Sequence, residues 1–591
     1  MRVLIVAFLL LSFSGFSQED ALAREYFKNG DFEKAFVSYK QLYDKSPNNY
    51  NYIQYLIKSY QQLEQYNKAE EILTFQLSRS RNPAFLVELG YNYQLKNDME
   101  NANKYYQEAL AFIDQTPSYV YTLGKSFEDK ALLDLAIATY EKGMQINPGL
   151  DFNIQLARIY GDQGNIEKMF DSYLDFVEKN DSYVNTIKRN FGEFITDDSD
   201  SENNQILKKI LLKKIQTEPN LLWNEMLSWL FVQQKEYHKA FAQERAIFNR
   251  KPESFHRIKE LALVADADKQ HDKAIEIFTY ISETAQDLET KLEANYYLLK
   301  IQIENSKPSD YTKISQQFQQ IFDLYGMSPQ TLELQILHAH LTAFYLHDTT
   351  QAISLLKGSL DMTLSGFQEA KIKMELADIL VFEEKFNEAL IYYTQIQRNL
   401  KNSTLSQEAR YKVAKTSYYK GDFKWAESQL TILKSSTSQL IANDALDLML
   451  LIRDNKYEDS TQTALKLYAK ADLLAFQNKT NEAIALLAII LENHTGKSIE
   501  DQALFKQAQL YEKTNQYDLA VANYQSIITN YADDILADDA YFHLAQLYNQ
   551  VLDQPEKAKD LYENIVFNHQ DSIYFVDARK AYRRLRGDDI N

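Results

Sequence analysis

The chain has 591 residues, no cysteine, and a formal net charge of −19 from 64 basic and 83 acidic residues. That balance excludes a nucleic-acid binder and a protein held to anionic lipid by positive patches, since both partners attract cations. Without cysteine there is no disulfide, catalytic thiol or thiol-linked lipid anchor, while 45% apolar residues with only 15 glycines and 9 prolines supply a continuous core without long flexible linkers.

At the N-terminus, Met1-Arg2 is a short positive start, Val3 to Phe13 an apolar run broken only by Ser12, and Ser14-Gly15-Phe16-Ser17 a small-residue exit. Residues 1–17 read as a secretory signal peptide, too short to span about 30 Å of hydrocarbon as a helix. Export predicts a periplasmic protein of a Gram-negative cell, without stable membrane insertion once the leader is cleaved. A peripheral position at the outer membrane is the variant of that reading.

From residue 18 to 183 a phrase recurs. Asn29-Gly30-Asp31-Phe32-Glu33-Lys34-Ala35 returns in looser copies that close on Ala69, Ala102 and Ala136, at intervals of 34, 33 and 34 residues. A fixed period in this range marks stacked units. Apolar residues within each half-unit recur at three and four, the period of one helix face, and a Gly-Asp or Asn-containing link joins the halves, so each unit is a helical hairpin. Gly90, Gly124 and the closing alanines are expected where helices approach closely, Tyr39, Tyr106, Tyr140 and Tyr173 between neighbouring hairpins. Pro47, Pro148 and Pro252 each follow a closing alanine by twelve residues and stop the second helix.

The ladder continues through Met169, Ala240, Ala274, Ala352, Ala389, Ala426, Ala483, Ala520 and Ala558, which makes thirteen units. Its gaps of 71, 78 and 57 residues leave room for one degenerate hairpin each in the first two and an extra helix in the third. Residues 184–360 are therefore a central degenerate array. Within it, Asp197-Asp198-Ser199-Asp200-Ser201-Glu202 has Asn203 and Lys209 where a calcium loop needs glycine and glutamate, so it reads as a solvated loop before a helix. His338, His340 and His347 do not share a helix face as an i, i+4 metal pair would.

Residues 361–571 form a C-terminal array of longer repeats, spaced 37 or 38 residues. Gly496-Lys497-Ser498 lacks the earlier glycine of a phosphate loop, where Leu491 stands, and both of its flanks are helical. The last segment, 572–591, is a capping helix and tail in which Arg579, Lys580, Arg583, Arg584 and Arg586 crowd together. They cap the helix dipole or form a basic docking patch for an acidic partner.

The punctuation of these units, Leu-Gly-x-x-aromatic as in Leu89-Gly90 to Tyr93, then alanine, aromatic and proline, resembles the tetratricopeptide repeat (TPR) family. The family's early tryptophan is replaced by Ile53, Leu86 and Val120. The late repeats, with alanine-bearing first helices such as Asp538-Asp539-Ala540-Tyr541, resemble envelope TPRs of the BamD and CpoB kind, although the lipid-anchor cysteine is missing. The resemblance implies an all-α, right-handed superhelical solenoid of TPR hairpins whose first helices line an inner groove for a protein or peptide. By the repeat phase, groove candidates are Gln54, Lys58, Val87, Tyr91, Tyr121, Lys125, Ile154 and Arg158, and towards the C-terminus Phe505, Gln509, Phe542 and Gln546. The lysine and asparagine clamp of TPRs that grip acidic chaperone tails is absent from these positions. No catalytic motif, metal set or cofactor fingerprint appears. A non-enzymatic, cofactor-free scaffold for envelope assembly or secretion is the leading expectation; a peptidoglycan or carbohydrate binder is the alternative.

Overall fold

A computed structural model describes residues 19–588 except 81, 218, 435–437 and 457–460. The expected leader lies outside the described residues, and no described helix is long and apolar enough to cross a membrane. Among the described residues every regular element is a helix. The chain divides into two compact units, one ending at Gln234 and one starting at Lys235.

The first unit opens with a helix over 19–28, which pairs with Phe32–Lys45. Hairpins Tyr50–Gln62 with Tyr66–Arg79, Ala84–Leu95 with Met99–Gln115, Val120–Glu128 with Leu133–Ile146, and Asn153–Asp162 with Ile166–Lys179 follow. Helices Val184–Phe191, Glu202–Thr217 and Leu221–Gln233 complete it. The acidic run folds around the buried Asn204, whose amide donates to the carbonyls of Thr196 (2.8 Å) and Asp198 (2.6 Å) and whose oxygen accepts from the Thr196 N–H at 3.2 Å. It is a loop built on an asparagine, leading into a helix.

The second unit begins with Tyr237–Arg250 and the pair His256–Ala267 and His271–Thr284. The 78-residue gap holds a full hairpin, Leu288–Asn305 with Tyr311–Tyr325, before Leu332–His340 runs into a π turn, Leu341–Tyr345, opposite Thr349–Leu360. Next come Gly366–Phe382 with Phe386–Asn399 and Thr404–Tyr419 with Phe423–Leu433. Gln439–Asn455 is the extra helix of the third gap. Thr463–Phe476 with Thr480–Asn493, Ile499–Lys513 with Tyr517–Asn530, Ala537–Gln550 with Pro555–Asn568, and the capping helix Phe575–Arg586 end the chain.

One turn serves all thirteen units. Five residues before each ladder position the backbone is left-handed: at Gly30, Gly164 and Gly421, at Asn97, Asn478, Asn515 and Asp553, and at Glu64, Ala131, Lys235, Lys269, His347 and Glu384. The following N–H reaches back over the turn, as from Asp31 to the Tyr26 carbonyl (2.9 Å) and from Leu132 to that of Phe127 (3.0 Å), and closes the first helix. The second helix then starts so that the ladder residue is its fourth, in Phe32–Lys45 for Ala35 and in Pro555–Asn568 for Ala558 alike. Within each unit most links thus join the two helices of a hairpin in the same way.

That crossing selects small side chains. Every ladder alanine is fully buried. Twelve residues earlier stands a second small residue, Gly90, Gly124, Ala377, Ala414 or Ala508, and four residues after the ladder comes an aromatic in many units. The two positions touch: a Cβ on Gly90 would lie 2.6 Å from the Tyr106 ring, and one on Gly124 would lie 2.4 Å from that of Tyr140. The buried tyrosines anchor their hydroxyls twelve residues upstream, Tyr106 on Gln94 (2.9 Å) and Tyr140 on Glu128 (2.6 Å), with Tyr524 on Glu512 likewise. The hairpins of Gly90 and Gly124 are each locked by a ring that fits only because a side chain is missing opposite it.

Candidate interaction surface

The first helices of the second unit carry a run of polar links from hairpin to hairpin. His340 Nδ1 lies 2.9 Å from Glu375 Oε1. Asp378 accepts from Lys412 at 2.9 Å and from the hydroxyl of Tyr393. Asp472 accepts from Lys415 at 2.6 Å and from Lys506 at 2.8 Å. Glu375 and Asp378, and likewise Lys412 and Lys415, stand fourteen and eleven residues before their ladder alanines. Three residues apart on a helix is one face, so stacking repeats in register brings these charges together.

Their electrostatics follow from burial. Burial pushes the Asp472 carboxyl up, but Lys415 and Lys506 on either side more than offset it, and the group sits below the usual carboxylate range. Burial lowers Lys412, and Asp378 and Glu408 reverse that, so it stays charged. Towards the C-terminus acids prevail. Burial raises Asp447, with Asp444 adding to it, and raises Asp539, with Asp538 and Asp447 adding to it. Asp501 is pushed to about 6 by burial together with Asp534 and Asp454. Asp447, on the extra helix, thus adds to the rise of Asp539 across 92 residues of sequence.

In the first unit, the equivalent position is Glu88, fourteen residues before Ala102. It pairs with Lys130 at 2.9 Å, both side chains less than a tenth exposed. The Lys130 ammonium also sits 4.5 Å over the ring of Tyr91, an arrangement that strengthens when water is excluded.

The sequence-derived groove residues divide between surface and core. Tyr121 is 54% exposed, and Arg158 and Gln509 are exposed. Lys125 is exposed and held by Glu128 (3.0 Å) and Asp129 (3.2 Å). Gln54 donates to the Tyr50 hydroxyl at 2.7 Å, and the half-buried Lys58 lies 5.6 Å from the Tyr55 ring. Ile154, Tyr91, Phe505 and Gln546 are half-buried. Two positions need correction as contact residues. Val87 is fully buried in the hairpin core, and Phe542, 8% exposed, stacks on Tyr574 at 4.2 Å. At Val87 the helix presents the next residue, Glu88, to the ion pair, so the expected phase is one residue early there. The turn at Asp553 moves Phe542 in a different way: its closing bond runs from Gln554 to Tyr548, one residue longer than the usual span and shared only with the bond from Asp348 to Thr342 among the described turns.

The remaining candidates are placed as follows. His338 is buried against Phe318, His340 meets Glu375, and His347 occupies a left-handed turn. Gly496, also left-handed, gives its N–H to the Glu500 carboxylate between two helices. In the capping helix, Arg586 donates to Asp588 at 2.7 Å and Arg583 lies 3.6 Å from the same carboxylate, while Arg579 and Lys580 are exposed, as is Arg584. The linked residues Glu88, Lys130, Asp378, Lys412, Lys415, Asp472 and Lys506 were not among the sequence candidates. Aligning first helices on the ladder would have shown charges recurring at minus fourteen and minus eleven.

This architecture is a stack of helical hairpins with a short left-handed link and a small-residue crossing. Tetratricopeptide repeat models match residues 83–113, 502–534 and 539–572, so the chain carries repeats of that family in both units. Two solved structures are similar over nearly the whole chain. The structure of Naa15/Naa10 bound to HypK-THB has 12% identity, covers 97% of this chain and 94% of its own, and gives a TM-score of 0.29. The APC/C hetero-tetramer Cut9-Hcn1 has 14% identity, covers 97% and 98%, and gives 0.23. No curated protein matches the sequence.

Proposed function

We propose that the chain is a non-enzymatic scaffold that holds a partner polypeptide on its first-helix face, working in the periplasm or cell envelope, in assembly or secretion. The observation that carries the reading is the repeat itself: hairpins of one geometry, matched to the tetratricopeptide repeat in both units, align their first helices into one polar face per unit. Extended segments and partner helices bind such faces through regularly spaced side chains. The acid surplus around Asp447 and Asp539 favours a cationic segment at the C-terminal end, because burial already makes these two charges costly and a lysine or arginine would relieve it. The signal-peptide pattern read at residues 1–17 supports export.

Crosslinking in intact cells, followed by mass spectrometry of the periplasmic and cytoplasmic fractions, tests both halves. The reading expects the protein in the periplasmic fraction, joined to a specific polypeptide through first-helix residues. Recovery in the cytoplasm removes the envelope assignment, and absence of any specific crosslinked protein removes the scaffold.

A further inference from the structure

Phe575–Arg586 is the last described helix. Ala578 and Tyr582 bury one side of it against the hairpin Ala537–Gln550 with Pro555–Asn568. The end of a repeat stack needs a polar outer face for solubility, yet here it carries large apolar side chains. Ile573, just before the helix, is 83% exposed, and Val576, in its first turn, 71%. Arg579 and Lys580, both exposed, follow Val576 by three and four residues, so apolar and cationic side chains lie one turn apart. Arg583 and Arg586 meet Asp588, whereas Arg579 and Lys580 have no ion pair with a described residue.

An acidic surface adjoins this one. Tyr574, the residue before the helix, stacks on Phe542 at 4.2 Å and donates from its hydroxyl to Asp539 at 2.9 Å, which fixes the start of Ala537–Gln550 beside the start of Phe575–Arg586. Ile535 holds at the first of these helices the place that Ile573 holds at the second, 38 residues on, and is 69% exposed. Burial, then Asp539, Asp538 and Asp447, raise the Tyr574 hydroxyl, so the three carboxylates gather around it. Asp539 has the Tyr574 hydroxyl as partner, but Asp447 and Asp538 have no ion pair with a described residue.

Cations, apolar side chains and acids thus lie side by side at the starts of two neighbouring first helices. A surface that carries both charges next to each other is complementary to a copy of itself turned by half a rotation: the cations of each copy meet the acids of the other, with the isoleucines and Val576 between them. A foreign acidic helix would answer only the cations, and a foreign cationic segment only the acids. We propose that the chain pairs with a second copy through this surface, Arg579 and Lys580 of each copy seated against Asp447 and Asp538 of the other. The inference rests on the acid surplus that the scaffold reading also uses, and names this chain's own cations as what answers it.

Sedimentation velocity of the full chain at low salt and at about 1 M salt, where the screening length falls to about 3 Å, tests the pairing. The expectation is a reversible dimer whose dissociation constant rises about tenfold or more at high salt. Arg579→Glu with Lys580→Glu, and separately Asp447→Lys with Asp538→Lys, should each be monomeric. An equimolar mixture of the two variants should dimerise, because reversal on both sides restores both contacts. The single reversals Lys580→Glu and Asp447→Lys serve the same purpose where a double variant does not fold. A monomeric parent, a dimer that survives either reversal, or two variants of parental helicity that stay apart when mixed overturns the proposal. Crosslinking in cells decides the scaffold reading separately: a monomeric chain that captures a foreign polypeptide overturns the dimer alone, and a dimer that captures none overturns the scaffold alone.

Discussion

Adding one methyl group at Gly124 tests the packing rule of the hairpins. In Gly124→Ala the new Cβ would lie 2.4 Å from Cε1 and Cζ of Tyr140, about 1 Å inside ordinary contact. The ring cannot retreat cheaply, since Tyr140 is fully buried and its hydroxyl donates to Glu128 at 2.6 Å. Overpacking of this kind costs about 1–3 kcal/mol, and stretching a hydrogen bond to a carboxylate adds about 1 kcal/mol. The gain in helix propensity from glycine to alanine returns about 1 kcal/mol. The net expectation is destabilisation by about 2 kcal/mol, concentrated in Val120–Glu128 and Leu133–Ile146. Hydrogen exchange of those two helices is the assay, because repeats open locally and a global midpoint would dilute the effect. Gly358→Ala is the control: its Cβ meets nothing within 4 Å, so the same substitution should stabilise by about 0.5–1 kcal/mol. If Gly124→Ala behaves like Gly358→Ala, the small-residue crossing is not what orders these hairpins.

Other consequences are as direct. At the shared turn Ala131 has φ 56°, so Ala131→Gly should raise unfolding free energy by about 0.5–1 kcal/mol, whereas Gly421→Ala, at φ 83°, should lower it by about 1–2 kcal/mol, both read from hydrogen exchange of the helices that flank the turn. Asp472→Asn strands the ammoniums of Lys415 and Lys506 and should cost about 3 kcal/mol by the same measurement; no loss would make the polar links ornamental. The folded Asp501 carboxyl holds its proton up to about pH 6 while the unfolded chain releases it near 4, so this group subtracts stability as pH rises from about 4 to 6. Asp501→Asn should therefore be more stable than the parent by about 3 kcal/mol at pH 7 and by only about 0.5 kcal/mol at pH 4, and a difference that does not change with pH would refute the shift.

The repeat was legible because its constraints are local. A crossing that admits only small residues writes alanine at a fixed period, and a link that needs a left-handed residue writes glycine or asparagine at some of its copies. At Glu64, Ala131, Lys235 and Glu384 the same conformation is imposed by the helices on either side and leaves no letter to read. The interaction face was legible only roughly. Gln509 and Arg158 are exposed where the phase puts them, but Val87 turns inward because the helix face advances about 100° per residue. The ionic links were hidden for a different reason. Lys415 and Asp472 are 57 residues apart, separated by an inserted helix, so the ladder gives both the same register but not that the two first helices meet.

The most direct test of the scaffold account is site-specific photocrosslinking in living cells. A benzophenone side chain at Tyr121, Arg158 or Gln509 samples the first helices, and one at Phe75, Ile391 or Leu519 samples exposed positions of second helices. The account predicts that the first set joins the chain to one discrete polypeptide and the second set does not. Equal capture from both sets, or none from the first, would contradict it.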